Sequence, residues 1–250
     1  MPFYFCTVMP SKRKGKSSGP SLRFANIFRI VKKVLAYFFA VTILWVIVYR
    51  FIDPPVTWLM LQRGFERKAA GKTWKLDKKW RDFDELSNNL KCAAISGEDA
   101  GFMNHWGFDA NAIQKAYLKN KAGKPMRGGS TISQQTAKNV FLWPGRSWIR
   151  KGFEAYFTIL IEIFWSKQRI LEVYLNVIEM GDGIYGAEAA TLHYYNKPAE
   201  KLTKRQAALL IAVLPNPRRW QPSNPTKYIN YKAALIRRNM RIIGKKLSFE

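Results

Sequence analysis

Cysteine and histidine are scarce in this chain of 250 residues. The two cysteines, Cys6 and Cys92, are too few for a disulfide framework. The two histidines, His105 and His193, leave little room for a His-rich metal site, and no HExxH or CxxC pattern occurs. The sequence therefore argues against a disulfide-stapled domain and against a His-rich metal site.

Acidic residues are also few, with 17 Asp and Glu against 42 Lys and Arg, which gives a net charge of +25. Residues 1–52 hold nine bases and no acid, and residues 53–250 hold 33 bases and 17 acids. A surface this basic suits nucleic acid, anionic lipid headgroups or a phosphorylated substrate, and composition does not choose among the three. The length suits one domain of roughly 200 residues together with an anchor.

A long apolar run near the N-terminus predicts a membrane anchor. Residues 34–49 (VLAYFFAVTILWVIVY) contain only Thr42 as an aliphatic polar residue, and extension to residue 52 gives nearly the ~30 Å thickness of a bilayer's hydrocarbon core. Eight bases and no acid precede the run, which favours an anchor over a buried core helix and keeps the N-terminus cytoplasmic. No small-residue cleavage site follows the run. We therefore expect a basic cytoplasmic tail at 1–33, an uncleaved transmembrane helix at 34–52 and an exported remainder, which argues against nucleic acid as a partner.

The pattern of the exported part indicates a mainly α fold. Apolar residues recur at helical spacing, and no strand-turn-strand alternation of any length is found. Thr131 and Gln134 are spaced as a capping box, residues 120–129 are typical of a mobile loop, and residues 181–186 are typical of a tight loop. The predicted helices cover residues 84–98, 109–119, 130–140, 147–165, 167–177, 187–195 and 203–214.

Three segments carry polar groups that a simple helical core does not need. The first, residues 98–109 (EDAGFMNHWGFD), places Glu98 and Asp99 at the end of an apolar helix. Aromatic neighbours there favour partial desolvation of an acid, which suits general acid–base chemistry. For an arbitrary Glu, however, a solvated carboxylate at a helix end is the more frequent case.

The other two segments are rich in bases. Residues 127–139 (RGGSTISQQTAKN) join a Gly-Gly turn to a helix N-terminus, where free N–H groups suit an anion, and Lys138 follows two turns later. A capped helix after a flexible loop explains the Gly-Gly-Ser part equally simply. Residues 144–154 (PGRSWIRKGFE) gather three bases and one acid, for which a plain salt bridge is the simpler explanation; these are Arg146, Arg150, Lys151 and Glu154.

Taken together, the segments supply two acids, far apart in sequence, and several bases. Paired carboxylates are how enzymes act on glycosidic bonds. Fixed cations stabilise the charge that develops on a pyrophosphate leaving group. The residues alone therefore indicate a reaction on a sugar phosphate at a membrane surface.

The order of the motifs carries a family resemblance. The chain contains, over about residues 80–222, the patterns E-D-x-x-F-x-x-H-x-G, G-G-S-T-I-x-Q-Q-x-x-K-N, R-K-x-x-E and I-L-E-x-Y-L-N, followed by GDGIYGAEAATLHYYNKP and LPNPRRWQP. This series resembles glycosyltransferase family 51, the peptidoglycan polymerases, and within it the stand-alone, monofunctional biosynthetic members of Gram-negative bacteria. Three positions depart from the family pattern: Ser133 replaces the usual Thr, Phe153 stands where some relatives have a third base, and Asn196 stands where relatives often have Gly or His.

The resemblance implies a lysozyme-like, mainly α domain with a head and a smaller jaw, preceded by one transmembrane helix. The membrane-proximal linker or jaw would cover residues 53–79 and the catalytic domain residues 80–250. The implied reaction polymerises lipid II into β-1,4-linked GlcNAc-MurNAc strands at the bacterial inner membrane, with inversion at MurNAc and release of undecaprenyl pyrophosphate. The implied partners are lipid II, the growing lipid-linked glycan chain, membrane lipids and other proteins of cell-wall synthesis or division.

The resemblance also implies roles for residues at matching positions. Glu98 would be the general base that takes the proton of the acceptor 4-hydroxyl. Glu154 would position the pyrophosphate, through a divalent cation such as Mg²⁺ or Mn²⁺ or by orienting nearby bases; no other cofactor is expected. Residues 120–127 would form a flap over the acceptor side, and His105 and Asn176 would be structural. The implied substrate-binding residues are Lys138, Arg146, Ser130, Gln134, Gln135, Arg150 and Lys151.

Two other functions share part of this pattern. A lysozyme-like lytic glycosidase of peptidoglycan needs the acids, but it needs neither the anchor nor the cations at Lys138 and Arg146. An inactive scaffold of the cell-wall machinery needs neither acid, and the presence of both Glu98 and Glu154 argues against it.

Overall fold

The protein was analysed as a computed structural model that describes residues 22–121 and 129–244. Its fold is mainly α, as predicted. The helices are α1 (Leu22–Phe51), α2 (Trp58–Ala69), α3 (Asn88–Glu98), α4 (Ala110–Lys121), α5 (Ile132–Phe141), α6 (Trp148–Phe164), α7 (Lys167–Val177), α8 (Ala187–Tyr195), α9 (Lys204–Ala212) and α10 (Lys227–Ile243). The strands are β1 (Asp77–Lys78), β2 (Glu179–Gly181) and β3 (Ile184–Tyr185).

Helix α1 contains the predicted membrane anchor. Residues 26–51 of this helix have a mean hydropathy of 2.0 and are long and apolar enough to cross a membrane. The helix begins at Leu22, well before the predicted span at 34–52, because the basic residues ahead of the apolar run continue the helix. The rest of the predicted basic tail, with Cys6, lies outside the described residues.

The last two turns of α1 belong to the same compact unit as the remaining helices, since one unit ends at Ile43 and the second begins at Leu44. The indole Nε1 of Trp165 donates to the carbonyl of Val46 at 2.8 Å. The guanidinium of Arg169 donates to the carbonyls of Tyr49 at 3.1 Å and Ile52 at 3.0 Å. These cationic hydrogen bonds satisfy carbonyls at the helix C-terminus that have no partner within the helix.

Residues 53–79 are integrated into the second unit. They contain α2 and β1, and β1 pairs in parallel with β3. The ammonium of Lys78 donates to the carbonyls of Pro54 and Pro55, which fixes the chain just after α1. The domain boundaries at 52 and 79 stay predictions. The segment between them forms a helix and a paired strand, so it is not an unstructured linker.

Helix starts follow the capping rules closely. Each of seven helices begins after a Ser or Thr whose side-chain oxygen accepts a backbone N–H three residues on. This arrangement satisfies one of the free N–H groups of the first turn. The caps are Thr57, Ser87, Thr131, Ser147, Ser166, Thr203 and Thr226.

Helix packing brings three segments of interest together. Helix α5 packs against α6 and α7, and α3 packs against α9 and α10. The core consists largely of buried residues of α3, α5, α7 and α9. The end of α3 lies next to α5, because the backbone N–H of Ile132 donates to Asp99 and the side chain of Gln135 donates to Glu98.

Four details differ from the predicted elements. Helix α3 begins at Asn88 rather than at residue 84, because Ser87 caps it and residues 83–85 form a separate 3₁₀ turn. Helix α4 extends to Lys121, two residues into the predicted loop, whose residues 122–128 lie outside the described residues. The strands β1, β3 and β2, which pair in that order into a small sheet, were not predicted, because each is only two or three residues long. Helices α2 and α10 have no counterpart among the predicted helices.

Candidate active site

Glu98 lies at the C-terminus of α3, half-buried beside α5. The side-chain Nε2 of Gln135 donates to Glu98 Oε2 at 3.0 Å. Trp106, an expected aromatic neighbour, is 74% exposed, so its ring does not enclose the acid. The fixed contact to Glu98 therefore comes from a polar side chain of α5.

Asp99 ties the end of α3 to the start of α5. Its carboxylate accepts the backbone N–H of Ile132 at 3.0 Å and lies 2.9 Å from Nε2 of His105. An anion at a helix N-terminus is favoured by the free N–H groups and the helix dipole. The contact of His105 with this carboxylate supports its predicted structural role, and the buried Asp99 keeps its neighbour Glu98 in register with Gln135.

The turn after these acids is closed by a glycine. The hydroxyl of Thr131 donates to the carbonyl of Gly107 at 2.6 Å. Gly107 has a φ of 74°, and an added Cβ would lie 2.6 Å from the methyl carbon of Thr158. The signature turn therefore packs against α5 and α6 only because Gly107 has no side chain.

Lys138 lies one helical turn after Gln135 on α5, so the two side chains share a face of that helix. Burial lowers the pKa of Lys138, the carboxylate of Glu154 raises it, and the charges of Arg150 and Lys151 lower it, while Glu98 raises it by a smaller amount. Both acids, predicted from distant motifs, therefore lie within electrostatic reach of Lys138.

Glu154 is buried on α6, with 3% of the residue exposed. Lys151 donates to its Oε1, and Nη1 of Arg150 lies 3.9 Å from its Oε2. These contacts leave the charge of Glu154 compensated by bases. They do not fit a resident divalent cation, and the described residues contain no group of three or more His, Cys, Asp or Glu that could hold one. We derive no step through a metal, and the Mg²⁺ or Mn²⁺ requirement stays a prediction.

Three other predicted substrate-binding residues have no contact with Glu98 or Glu154 among the described residues. Arg146 is exposed in the loop between α5 and α6, and within the described ranges its side chain makes no hydrogen bond or ion pair. Gln134 is buried, and its Oε1 accepts the backbone N–H of Thr131 in a capping box, so that oxygen is committed to the helix. Ser130 is half-buried just ahead of this cap. Their roles toward a substrate stay predictions.

The three departures from the family pattern have structural explanations. Ser133 is fully buried and donates to Glu162, which keeps the hydrogen bond that a Thr hydroxyl would also supply. Phe153 packs edge to face with Trp143 at 6.0 Å between ring centroids, so this position adds an aromatic contact instead of a cation. Asn196 adopts a φ of 51° as the C-cap of α8, a conformation that suits Asn or Gly.

A second polar network behind the turn was not predicted. Lys167 donates to Glu162 at 2.8 Å and to the carbonyl of His105 at 2.7 Å, and its ammonium lies 4.6 Å from the ring centre of Phe102. Glu162 also accepts from Ser133, so the network joins α5, α6 and α7 to the signature turn. No local pattern marks these residues, because each contact joins segments that are separate in sequence.

Asn176 has the structural role that was predicted for it. Its Oδ1 accepts the backbone N–H of Arg81 at 2.9 Å, and its Nδ2 donates to the carbonyl of Arg81 at 2.8 Å. The side chain is fully buried and satisfies the backbone N–H and carbonyl of Arg81, as a neighbouring strand would. Asn176 therefore anchors the entry to α3 rather than a substrate.

Comparison with known proteins agrees with this arrangement. The family described as Transglycosylase matches residues 67–241. A protein of Stutzerimonas stutzeri is 50% identical over 219 residues, which is 88% of this chain and 90% of that protein. A protein of Pseudomonas syringae pv. tomato is 50% identical over 218 residues (87% and 92%), and one of Pseudomonas putida is 47% identical over 220 residues (88% and 93%). All three are named biosynthetic peptidoglycan transglycosylase. The chain therefore belongs to the transglycosylase family, and it is a glycosyltransferase.

Proposed function

We propose that the chain polymerises lipid II into the β-1,4-linked glycan strands of peptidoglycan. The family match and the names of the relatives support the reaction class and the peptidoglycan substrate. The observation that carries the proposal is the position of Lys138, whose charge is influenced by both Glu98 and Glu154. A general base near a cationic anion site is what transfer from a sugar pyrophosphate requires.

Glu98 is the general base in this proposal. Its carboxylate takes the proton of the acceptor GlcNAc 4-hydroxyl, and that oxygen attacks the anomeric carbon of the terminal MurNAc of the growing chain. The bond from this carbon to the pyrophosphate oxygen breaks, with inversion, and undecaprenyl pyrophosphate leaves. The hydrogen bond from Gln135 to Oε2 supports the assignment, because it fixes the orientation of the carboxylate before the acceptor arrives.

The pyrophosphate binds to the cations that face Glu98. Lys138 is largely removed from water, which strengthens its attraction for the charge that develops on the leaving group. Lys151 and Arg150 are held by Glu154 within the same region. Arg146 is exposed and free of partners in the described part of the chain, so it is available to the outer phosphate. Glu154 then orients these bases.

Membrane lipids are the second partner of this unit in the proposal. Helix α6 exposes a stripe of apolar side chains at helical spacing, with Trp148 91%, Ile149 73%, Ile159 50% and Ile163 57% exposed. Bases at its N-terminal end suit phosphate headgroups. With the apolar helix α1, this stripe supports a bacterial inner-membrane location with the N-terminus cytoplasmic and the catalytic unit periplasmic, since eight bases precede the apolar run.

The test is polymerisation of purified lipid II by the full chain in nonionic detergent. We expect polymer from the wild type and at least about a hundredfold less from Glu98→Gln, because general bases contribute about 10² to 10⁴ to rates. Glu200→Gln, an exposed acid outside the site, is the matched control and keeps full activity. The same assay with and without EDTA decides the cation requirement.

Two results would count against the proposal. Shortening of preformed peptidoglycan without polymer formation would favour the lytic glycosidase. Undiminished polymer formation by Glu98→Gln would remove the base assignment.

A further inference from the structure

A buried ion pair lies behind the turn that follows Glu98 (residues 99–107). The ammonium of Lys167 lies 2.8 Å from Glu162 Oε1, and the two side chains are 22% and 5% exposed. Replacement of a buried ion pair by apolar residues is often neutral for stability or even raises it. Stability therefore does not by itself explain why two charges are buried here, and the explanation has to come from their other contacts.

Lys167 holds the turn. Its ammonium donates to the carbonyl of His105 at 2.7 Å and lies 4.6 Å from the ring centre of the fully buried Phe102. The imidazole Nε2 of the same His105 lies 2.9 Å from the carboxylate of Asp99, which directly follows Glu98. Lys167 thus fixes the backbone of a residue whose ring contacts the neighbour of the proposed base.

Glu162 holds the first turn of α5. Its Oε1 accepts the hydroxyl of Ser133, which is fully buried and lies two residues before Gln135. The side chain of Gln135 in turn donates to Glu98 at 3.0 Å. An added Cβ at Gly107 would lie 3.1 Å from Glu162 Cγ, so Glu162 also packs against the backbone of the turn.

We propose that Glu162 and Lys167 are positioning residues for the general base. The inference rests on the proposed function of Glu98. The pair ties the turn after Glu98 to the first turn of α5, and the contacts of these two segments determine where the Glu98 carboxylate lies. A general base must lie within hydrogen-bond reach of the proton that it takes, and a misplacement of about 1 Å can cost about a hundredfold in rate.

The pair acts through geometry rather than through its charge. Within the described ranges, neither side chain makes a hydrogen bond or ion pair with Glu98, Lys138 or Glu154. The two charges of the pair cancel, so joint neutralisation leaves the net charge of the chain unchanged. Loss of the pair is therefore expected to displace Glu98 while it keeps every charge of the proposed pyrophosphate site.

The test neutralises one buried ion pair in each of two double variants of the full chain. Glu162→Gln with Lys167→Met removes the proposed pair. Glu188→Gln with Arg81→Met is the matched control, because Arg81 Nη2 lies 2.9 Å from a Glu188 side chain that is 2% exposed. The other hydrogen bonds of this control pair lie outside the turn and α5. Neither variant leaves a buried charge without its partner, so both are expected to fold with similar changes in Tm.

Steady-state kinetics of lipid II polymerisation separate misplacement of the base from general damage. We expect the Glu162→Gln, Lys167→Met protein to lose about tenfold to a hundredfold in kcat, with KM within about twofold of the wild type, because the substrate-binding cations stay in place. The control protein is expected to keep the wild-type kcat. A kcat of the first protein equal to that of the control would overturn the proposal.

Ser133 tests the contact with α5 through a smaller change. Ser133→Ala removes the hydroxyl that donates to Glu162 and keeps the ion pair, and we expect a severalfold lower kcat. Ser133→Thr keeps a hydroxyl at a position where the family usually has Thr, and it is expected to restore the wild-type kcat. Equal kcat values for the Ala and Thr proteins would remove the link to α5 on which the proposal depends.

Hydrogen exchange gives a readout that does not need activity. The backbone N–H of Ile132 donates to Asp99, so its exchange reports whether the turn stays in contact with α5. We expect this amide to exchange at least about tenfold faster in the Glu162→Gln, Lys167→Met protein than in the control, because the contact opens locally. An unchanged exchange rate would contradict the positioning role. If no protein, the wild type included, polymerises lipid II, this measurement still tests the contact, so the two proposals fail separately.

Discussion

At the scale of single residues, the site depends on a half-buried lysine within electrostatic reach of two acids. Burial, together with the charges of Arg150 and Lys151, lowers the pKa of Lys138 more than Glu154 and Glu98 raise it. An ammonium with a lowered pKa loses its charge at a lower pH than an exposed lysine would. Because the proposed pyrophosphate site needs the cation, activity must fall on the alkaline side as Lys138 deprotonates.

Replacement of Lys138 by arginine tests this directly. A guanidinium stays charged at every pH at which the assay is run, so we expect the alkaline limb of kcat/KM in Lys138→Arg to move upward relative to the wild type. The absolute rate is expected to be lower, because the larger group is buried. Lys204→Arg, at an exposed position at the start of α9 and outside the site, is the control and keeps the wild-type limb. An alkaline limb common to all three proteins would show that Lys138 does not govern it.

Asn196 gives a second prediction at this scale. It ends α8 with a φ of 51°, where a side chain with a Cβ costs about 1–2 kcal/mol. Asn196→Gly is expected to be neutral, and Asn196→Ala is expected to lower the free energy of unfolding by about 1 kcal/mol. Urea unfolding of the three proteins measures the difference. Equal stability of the Ala and Gly variants would contradict the left-handed cap.

Local sequence patterns predict single residues better than they predict contacts between them. Glu98, Lys138 and Glu154 stand in recognisable motifs, and the capping box of Thr131 and Gln134 follows from spacing alone. The hydrogen bonds from Gln135 to Glu98 and from Ile132 to Asp99 join residues more than 30 positions apart, so no local pattern contains them.

At the scale of elements, the helices of the central motifs were predictable, whereas the short strands and the flanking helices α2 and α10 were not. Helices α5, α6, α7 and α8 start and end within a few residues of the prediction. The strands are two or three residues long, too short to show an alternating pattern, and their pairing comes from the hairpin and from contact with residues 77–78. Helix α3 starts at Asn88 because the Ser87 side chain accepts the N–H of Leu90, whereas residues 83–85 form a separate 3₁₀ turn.

Helix α6 carries the prediction that belongs to this scale. Trp148 is 91% exposed at the head of an apolar stripe, and we proposed that the stripe contacts lipid. In nanodiscs that contain lipids brominated on the acyl chains, bromine quenches the fluorescence of tryptophans that reach the chains. We expect Trp148→Phe to lower the quenched fraction of the total fluorescence.

Trp220→Phe serves as the matched control, because Trp220 lies against Tyr228 of α10 and not on the stripe. This variant is expected to leave the quenched fraction unchanged or to raise it slightly, as it removes an unquenched emitter. A Trp148→Phe protein with the same quenched fraction as the wild type would place Trp148 in water and exclude the lipid contact.

At the scale of the whole molecule, the charge is distributed well beyond the site. Residues 53–250 carry a charge of +16, and α10 alone holds five bases and no acid. The electrostatic field of this charge attracts a pyrophosphate substrate from a distance, and salt weakens the attraction. The Debye length falls from about 10 Å at 0.1 M salt to about 3 Å at 1 M. The field acts on substrate capture and leaves the chemical step to the residues near Glu98.

Charge reversal on α10 separates this field from the local cations. Arg237, Arg238 and Arg241 are exposed, and their joint replacement by Glu lowers the charge of residues 53–250 from +16 to +10 without touching the site. In nonionic detergent we expect the triple variant to have a severalfold lower kcat/KM at low salt, an unchanged kcat, and convergence with the wild type at high salt. A triple Gln variant, which removes half of that charge difference, is expected to lie between them. If kcat/KM were the same for all three proteins at low salt, only the cations next to Glu98 and Glu154 would attract the substrate, and the excess charge of the molecule would have no part in catalysis.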